Sequence, residues 1–238
     1  MNKIKTGIEG LDEMLGGGLV EGRPYIIAGG PGAGKTILGM QFLLQGIKNR
    51  ERAIYVSLEE TAEQLRDEMA ALGWDITPIK ILDTTQELGM SKWVIKADNV
   101  ISKPEFTLSN LMKILSRRME SYKPRRMVID SVTSIRLMYE KKSDMRREIL
   151  AMMNFLSMSE CTTLLTSEVD INIKASQVLM EEFLASGVIK LHTIDRRGEI
   201  INAISIEKIR GTDFDKHLRP LRITDEGIVV FPGETVFE

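Results

Sequence analysis

The sequence predicts an α/β fold: a mostly parallel central sheet flanked by helices, with antiparallel strands at the C-terminal end. Three observations predict it. Short apolar runs alternate with amphipathic helical stretches, the pattern of a parallel sheet covered on both faces. A chain of 238 residues that is 43% hydrophobic can bury one substantial core but would cramp a second, so one domain over 1–238 is expected. After about Gly187 the pattern changes to strand-like runs separated by turn clusters, the signature of hairpins.

Tyr25 to Ala28 is the first strand candidate, and the helical pattern Ile37 to Ile47 follows it across a glycine-rich stretch. Ala53 to Leu58 is the next strand. Thr61 to Leu72 reads as a helix with both ends marked, because Thr61 and Gln64 have capping-box spacing and Gly73 supplies the stop. Ile79 to Leu82, Met127 to Ile129, Thr162 to Thr166 and Val188 to Leu191 are further strands, and Leu108 to Ser121 and Asp144 to Ser159 further helices. In the last helix Met145, Met152, Met153 and Met158 read as core filling, since methionine is a flexible apolar side chain. Val188 to Thr193, Ile200 to Lys208, Leu218 to Thr224 and Ile228 to Phe231 form the C-terminal hairpins. Thr84 to Glu105 is the stretch poorest in pattern. Its Trp93 stands among lysines that could meet nucleic acid, although a packed loop with solvated lysines is the simpler reading.

Charge narrows the partners. Thirty-two basic and thirty-four acidic side chains leave a net charge of -2, which gives no global attraction to nucleic acid or an acidic membrane. The single cysteine, Cys161, excludes an intramolecular disulfide and reads as a buried thiol in a reducing compartment. The first residues lack the apolar core of a signal peptide, and no run approaches the roughly 18 apolar residues of a membrane span. A cytoplasmic protein without a membrane partner is expected.

Gly29-Gly30-Pro31-Gly32-Ala33-Gly34-Lys35-Thr36 carries the chemistry. It reads G-x-x-x-x-G-K-T between a strand and a helix, a phosphate-binding loop. The glycines let backbone N–H groups curl around a polyphosphate, the helix N-terminus adds its dipole, Lys35 reaches the terminal phosphates and the Thr36 hydroxyl ligates Mg²⁺. Hydrolysis also needs a carboxylate in the metal shell and one to activate water. Arg126-Met127-Val128-Ile129-Asp130 is an apolar strand ending in an acid, which puts Asp130 beside Thr36. Glu59 and Glu60 end another strand and are expected to open toward the same edge, where ligands of α/β sheets sit; the competing reading is that they favour the N-terminus of the next helix. Lys35, Glu59, Asp130 and Ser167 are expected to converge there.

Together with the motif at Lys5-Thr6-Gly7-Ile8-Glu9-Gly10-Leu11-Asp12, the run Gly16-Gly17-Gly18-Leu19 and Lys208-Ile209-Arg210-Gly211-Thr212, these motifs resemble KaiC-type ATPases of the RecA superfamily over nearly the whole chain. The resemblance implies a RecA-like P-loop NTPase fold, ATP and Mg²⁺ as ligands, and homo-hexamers with nucleotide between subunits. It implies Glu59 as base with Glu60 beside it, and Lys208 and Arg210 reaching the neighbour's γ-phosphate. It further implies Thr212, Thr224 and Asp225 near the adjacent subunit's nucleotide and Ser167 as a phosphate sensor. Where clock members of the family carry a histidine after K-x-R-G-T, this chain has Asp213-Phe214.

The function expected from these residues is a Mg²⁺-dependent ATPase that hydrolyses slowly as an oligomeric switch or motor, with an unknown protein partner. One alternative is a DNA-binding protein of recombination or repair resembling single-domain RadA paralogues. Its candidate surfaces are the loop Glu168 to Gln177, poor in cations apart from Lys174, and the cluster Lys141, Lys142, Arg146 and Arg147. Another is a nucleotide-sensing regulator with little turnover.

Overall fold

A computed structural model describes residues 1–84, 107–168, 180–196 and 198–236. Most of the Thr84 to Glu105 stretch with Trp93, and the loop after Glu168, therefore lie outside the described residues. The elements in chain order are β1 (Lys3–Ile4), α1 (Glu9–Met14), β2 (Leu19–Val20), β3 (Pro24–Gly29), α2 (Lys35–Lys48), β4 (Ala53–Ser57) and α3 (Ala62–Ala71). They continue with β5 (Lys80–Asp83), α4 (Leu108–Tyr122), β6 (Arg126–Asp130), α5 (Val132–Leu137), α6 (Lys142–Met158), β7 (Thr162–Glu168) and α7 (Met180–Leu184). The chain then finishes in β8 (Gly187–Arg196), β9 (Glu199–Ile209), β10 (Arg219–Thr224) and β11 (Gly227–Val230).

The apolar runs pair into one sheet of nine strands among the described residues, in the order β11-β10-β9-β8-β3-β7-β6-β4-β5. From β8 through β5 neighbouring strands are parallel, whereas β9, β10 and β11 are joined antiparallel. The predicted architecture is therefore present. Both faces are covered, as period-two alternation requires. Ile27, Tyr55, Val128 and Leu164 pack on the face occupied by Leu38, Phe42 and Leu43 of α2. Ile26, Ala28, Ile129 and Leu165 pack on the other, with Leu111 of α4 and Met152, Met153 and Leu156 of α6.

Sequence signals account for the helix ends. Thr61 caps α3 through the Gln64 amide, and the Gln64 side chain accepts the Thr61 amide in return at 3.0 Å. One expectation fails on α6: Met158 is 84% exposed. At about 100° per residue it stands well away from Met152 and Met153, and Leu156, four and three residues beyond them, takes the buried place instead.

Strand direction sorts the functional segments between the two edges of the sheet. The parallel strands β3, β4 and β6 end together, with Ser57 level with Asp130, so the phosphate loop, Glu59 and Asp130 all leave from one edge. Gly187 pairs with Tyr25 on one side and Ile209 on the other, so β9 ends level with the start of β3, at the opposite edge. From β9 the chain turns back. Arg219 pairs with Ile204, itself level with Leu191 and Gly29, so β10 runs past the phosphate-loop edge before turning.

Candidate active site

The phosphate loop is built where β3 stops. Gly34 caps α2 with φ +94, a left-handed conformation that disfavours any side chain, and a Cβ there would meet Ile223 Cδ1 at 3.0 Å. A Cβ at Gly30 or Gly32 would meet nothing within 4 Å, so the loop faces open space. Gly30, Pro31 and Gly32 form the open part of the loop between buried Gly29 and Ala33, ahead of a helix whose first turn has no side-chain cap and so leaves its N–H groups to a ligand. Lys35 folds back over this loop, with Nζ donating to the carbonyls of Gly29 at 3.0 Å and Gly30 at 2.8 Å.

Beside the loop, Asp130 gathers hydroxyls. Thr36 Oγ1 donates to Asp130 Oδ2 at 3.0 Å, Tyr55 OH donates to the same oxygen, and Thr166 Oγ1 donates to Oδ1 at 2.5 Å. Burial raises the Tyr55 phenol well above its ordinary value, and the Asp130 charge and hydrogen bond raise it further, so it remains a neutral donor. A carboxylate and an aliphatic hydroxyl at a helix N-terminus are the oxygen ligands that a hard cation takes beside a polyphosphate, so these residues fit Mg²⁺.

Glu59 and Glu60 follow β4. Glu59 Oε1 accepts hydrogen bonds from Ser131 Oγ and Ser134 Oγ, from the cap and first turn of α5. Ser57 Oγ donates to the Glu60 carbonyl at 2.6 Å and accepts the Glu60 amide at 3.3 Å, which fixes the turn that carries both acids. Desolvation raises the Glu60 carboxyl, helped by the charges of Glu68, Asp130 and Glu59. Glu60 is thus the acid whose own ionisation the surrounding carboxylates oppose.

Ser167 stands apart from the Asp130 cluster. It is level with Ala28, whereas Thr166 is level with Ile27 on the α2 face. Ser167 therefore points to the face away from α2, fully buried, and its Oγ has no hydrogen-bond partner among the described residues. Thr166, one residue earlier, faces the α2 side and donates to Asp130, because strand alternation flips one residue to the next. Thr224 and Asp225 lie at the turn between β10 and β11. They turn at the phosphate-loop edge of their own chain, where Thr224 Oγ1 donates to Gly227 O at 3.0 Å and Trp74 Nε1 donates to Asp225 O at 3.1 Å. Ile223 and Ile228 lie against Gly34, so the turn stands by the chain's own loop.

Lys208, Arg210 and Thr212 are at the other edge. Lys208 Nζ donates to the carbonyls of Glu182 at 2.8 Å and Phe183 at 2.9 Å, and Arg210 NH2 donates to Phe183 O at 2.9 Å. Desolvation lowers the Lys208 ammonium and the adjacent Arg210 charge lowers it further, partly offset by Glu182. Thr212 Oγ1 donates to Asp213 O at 3.3 Å. Arg147 of the basic cluster is partly neutralised by Asp144 at 3.3 Å and Glu148 at 3.6 Å, which weakens that helix as a phosphate-binding face. Sequence reasoning missed Tyr55, Thr166, Ser131 and Ser134. Alternation within β4 and β7 would have found the first two once Val128 and Asp130 were assigned to the α2 face.

Fold and site together define a P-loop protein of RecA-like architecture. The chain belongs to the KaiC ATPase family, whose model, "ATPase: KaiC", matches residues 4–235. It is 34% identical to a UPF0273 protein of Thermotoga maritima over 98% of both chains. It is 32% identical to the circadian clock oscillator protein KaiC of Synechococcus elongatus over 97% of this chain but only 44% of that one. The crystal structure of a KaiC-like protein from Pyrococcus horikoshii OT3 superposes with a TM-score of 0.81 at 33% identity, covering 97% of this chain and 99% of the other. Among the described residues no helix is long and apolar enough to cross a membrane.

Proposed function

We propose that the protein is a Mg²⁺-dependent cytoplasmic ATPase that works as a homo-oligomer, a hexameric ring by analogy with its family. Each nucleotide would be held by one subunit's phosphate loop and completed by Lys208 and Arg210 of the next. The observation that carries this reading is the separation of the two groups within one chain. Lys208 is level with Ile26 and Ile209 with Tyr25, whereas the loop starts at Gly29, about 10 to 13 Å away at the rise of a strand. Two cations at the wrong edge for their own site are suited to serve a neighbour's.

Lys35 and the loop amides would bind the β- and γ-phosphates, and Thr36 and Asp130 would hold Mg²⁺, which supplies charge neutralisation of the phosphate oxygens when bound. Tyr55 and Thr166 orient the Asp130 carboxylate through their hydroxyls. Glu59, steadied by Ser131 and Ser134, would accept the proton of the water that attacks the γ-phosphorus as the bond to the β-phosphate oxygen breaks. Lys208 and Arg210 in trans would stabilise charge on the γ-phosphoryl oxygens, and Thr212 would accompany them. Thr224, Asp225 and Ile223 would line the own-chain side of the nucleotide.

Replacing Glu59 by Gln tests the base. Turnover should fall about 100-fold or more while a fluorescent ATP analogue binds with unchanged affinity; unchanged hydrolysis would sink the assignment.

A further inference from the structure

Lys208 and Arg210 are not free arms. Both are anchored to the last carbonyls of α7, and α7 is five residues long. Its other end carries Glu181, which is 1% exposed, with Oε1 lying 3.2 Å from NH1 of Arg136. Arg136 belongs to α5, the short helix capped by Ser131, the residue after Asp130, and carrying the Ser134 hydroxyl that donates to Glu59. Arg136 NH2 also donates to Thr133 Oγ1 at 3.1 Å and to Glu168 O at 3.3 Å, and Thr133 Oγ1 accepts the Glu168 amide at 2.8 Å. One continuous set of contacts therefore runs from the Glu59 carboxylate through α5 and α7 to the two cations at the far edge.

We propose that the Arg136–Glu181 ion pair is the positioning link by which the state of one subunit's Glu59–Asp130 site sets where Lys208 and Arg210 stand for the next subunit. This rests on the interface reading above and adds direction to it: each subunit would report its own nucleotide to the site its cations complete. The geometry suits a switch more than a brace. The contact is close but not aligned as a hydrogen bond, and Glu181 Oε1 accepts none among the described residues. A buried charge pair of this kind is weak evidence for stability, since desolvation consumes most of its attraction. Desolvation raises the Glu181 carboxyl, opposed by its own backbone amide and then by the Arg136 charge. A two-state element that both sites can bias is the physical requirement for coupling.

The test compares wild type with Glu181→Gln and Arg136→Lys, each as the full chain. Hydrogen exchange of the amides in 180–187 and 208–212 is measured with Mg²⁺-ADP and with a non-hydrolysable ATP analogue, beside nucleotide affinity and kcat. Wild type should exchange differently in the two states. Glu181→Gln should erase that difference and lower kcat about tenfold while analogue affinity stays within about twofold, and Arg136→Lys should retain part of both. If both variants melt earlier yet keep the nucleotide-dependent exchange and the wild-type kcat, the pair is only structural and the proposal fails. An Arg210→Ala control separates the two readings. Wild-type turnover in that control would overturn the interface reading itself, whereas an inactive Arg210→Ala beside an unaffected Glu181→Gln would overturn the link alone.

Discussion

Asp130 illustrates how much of the site is decided by single atoms. Its two oxygens take hydroxyls from three different elements, so its orientation is fixed before any ligand arrives. Removing one donor should disturb the metal shell without unfolding the chain, and Thr166→Val is the mildest such change. Its Mg²⁺ requirement, read from turnover against metal concentration, should rise severalfold with the fold intact by circular dichroism. Cys161 makes the opposite point. Burial pushes its thiol up to about 12, so it should resist thiol reagents in the native protein and react only on unfolding; rapid native labelling would contradict its placement. At Asp215, burial would raise the carboxyl, but Arg219 Nε at 2.6 Å together with the amide and ring of His217 outweighs it and holds it at about 2. A depressed carboxyl stabilises the fold above its unfolded value near 4 and loses that stabilisation as pH falls toward 2. Asp215→Asn should cost about 1 kcal/mol at neutral pH and progressively less as pH falls from about 4 through 2, read from urea unfolding across that range. The residue identities Lys35, Thr36 and Asp130 were legible because their motifs fix them. Thr166 against Ser167 was not, because adjacent residues in a strand face opposite ways and sequence alone does not say which face holds the helix.

Elements were legible in proportion to their length. The long helices α2, α4 and α6 and the strands β3, β4, β6 and β7 show themselves by periodicity. By contrast α1, α5 and α7, of six, six and five residues, span less than two turns and carry no readable period. That loss matters because α5 and α7 connect the two halves of the proposed mechanism. Where sequence did mark a helix end, the marking was physical: Thr61→Ala removes the hydroxyl that accepts the Gln64 amide in the α3 capping box and should lower stability by about 1 kcal/mol, measurable as a shift in the denaturant midpoint. The C-terminal strands were visible as hairpins, but their edge was not. Only the register of β9 on β8 reveals that Lys208 and Arg210 end far from the loop, while the β10–β11 turn returns to it.

For the whole molecule, that division of edges is what the proposed interface mechanism builds on: one chain would hold two halves of different sites. Light scattering should report a larger assembly with Mg²⁺ and a non-hydrolysable ATP analogue than without nucleotide, and a monomer under all conditions would remove the interface mechanism. Assembly alone does not locate the cations, however. The most direct measurement mixes two inactive variants, Arg210→Ala, whose phosphate loop is intact, and Lys35→Ala, whose cations are intact. Across an interface each supplies what the other lacks, so the mixture should recover a substantial fraction of wild-type hydrolysis; a mixture as inactive as its components, under conditions where the two co-assemble, would contradict the account.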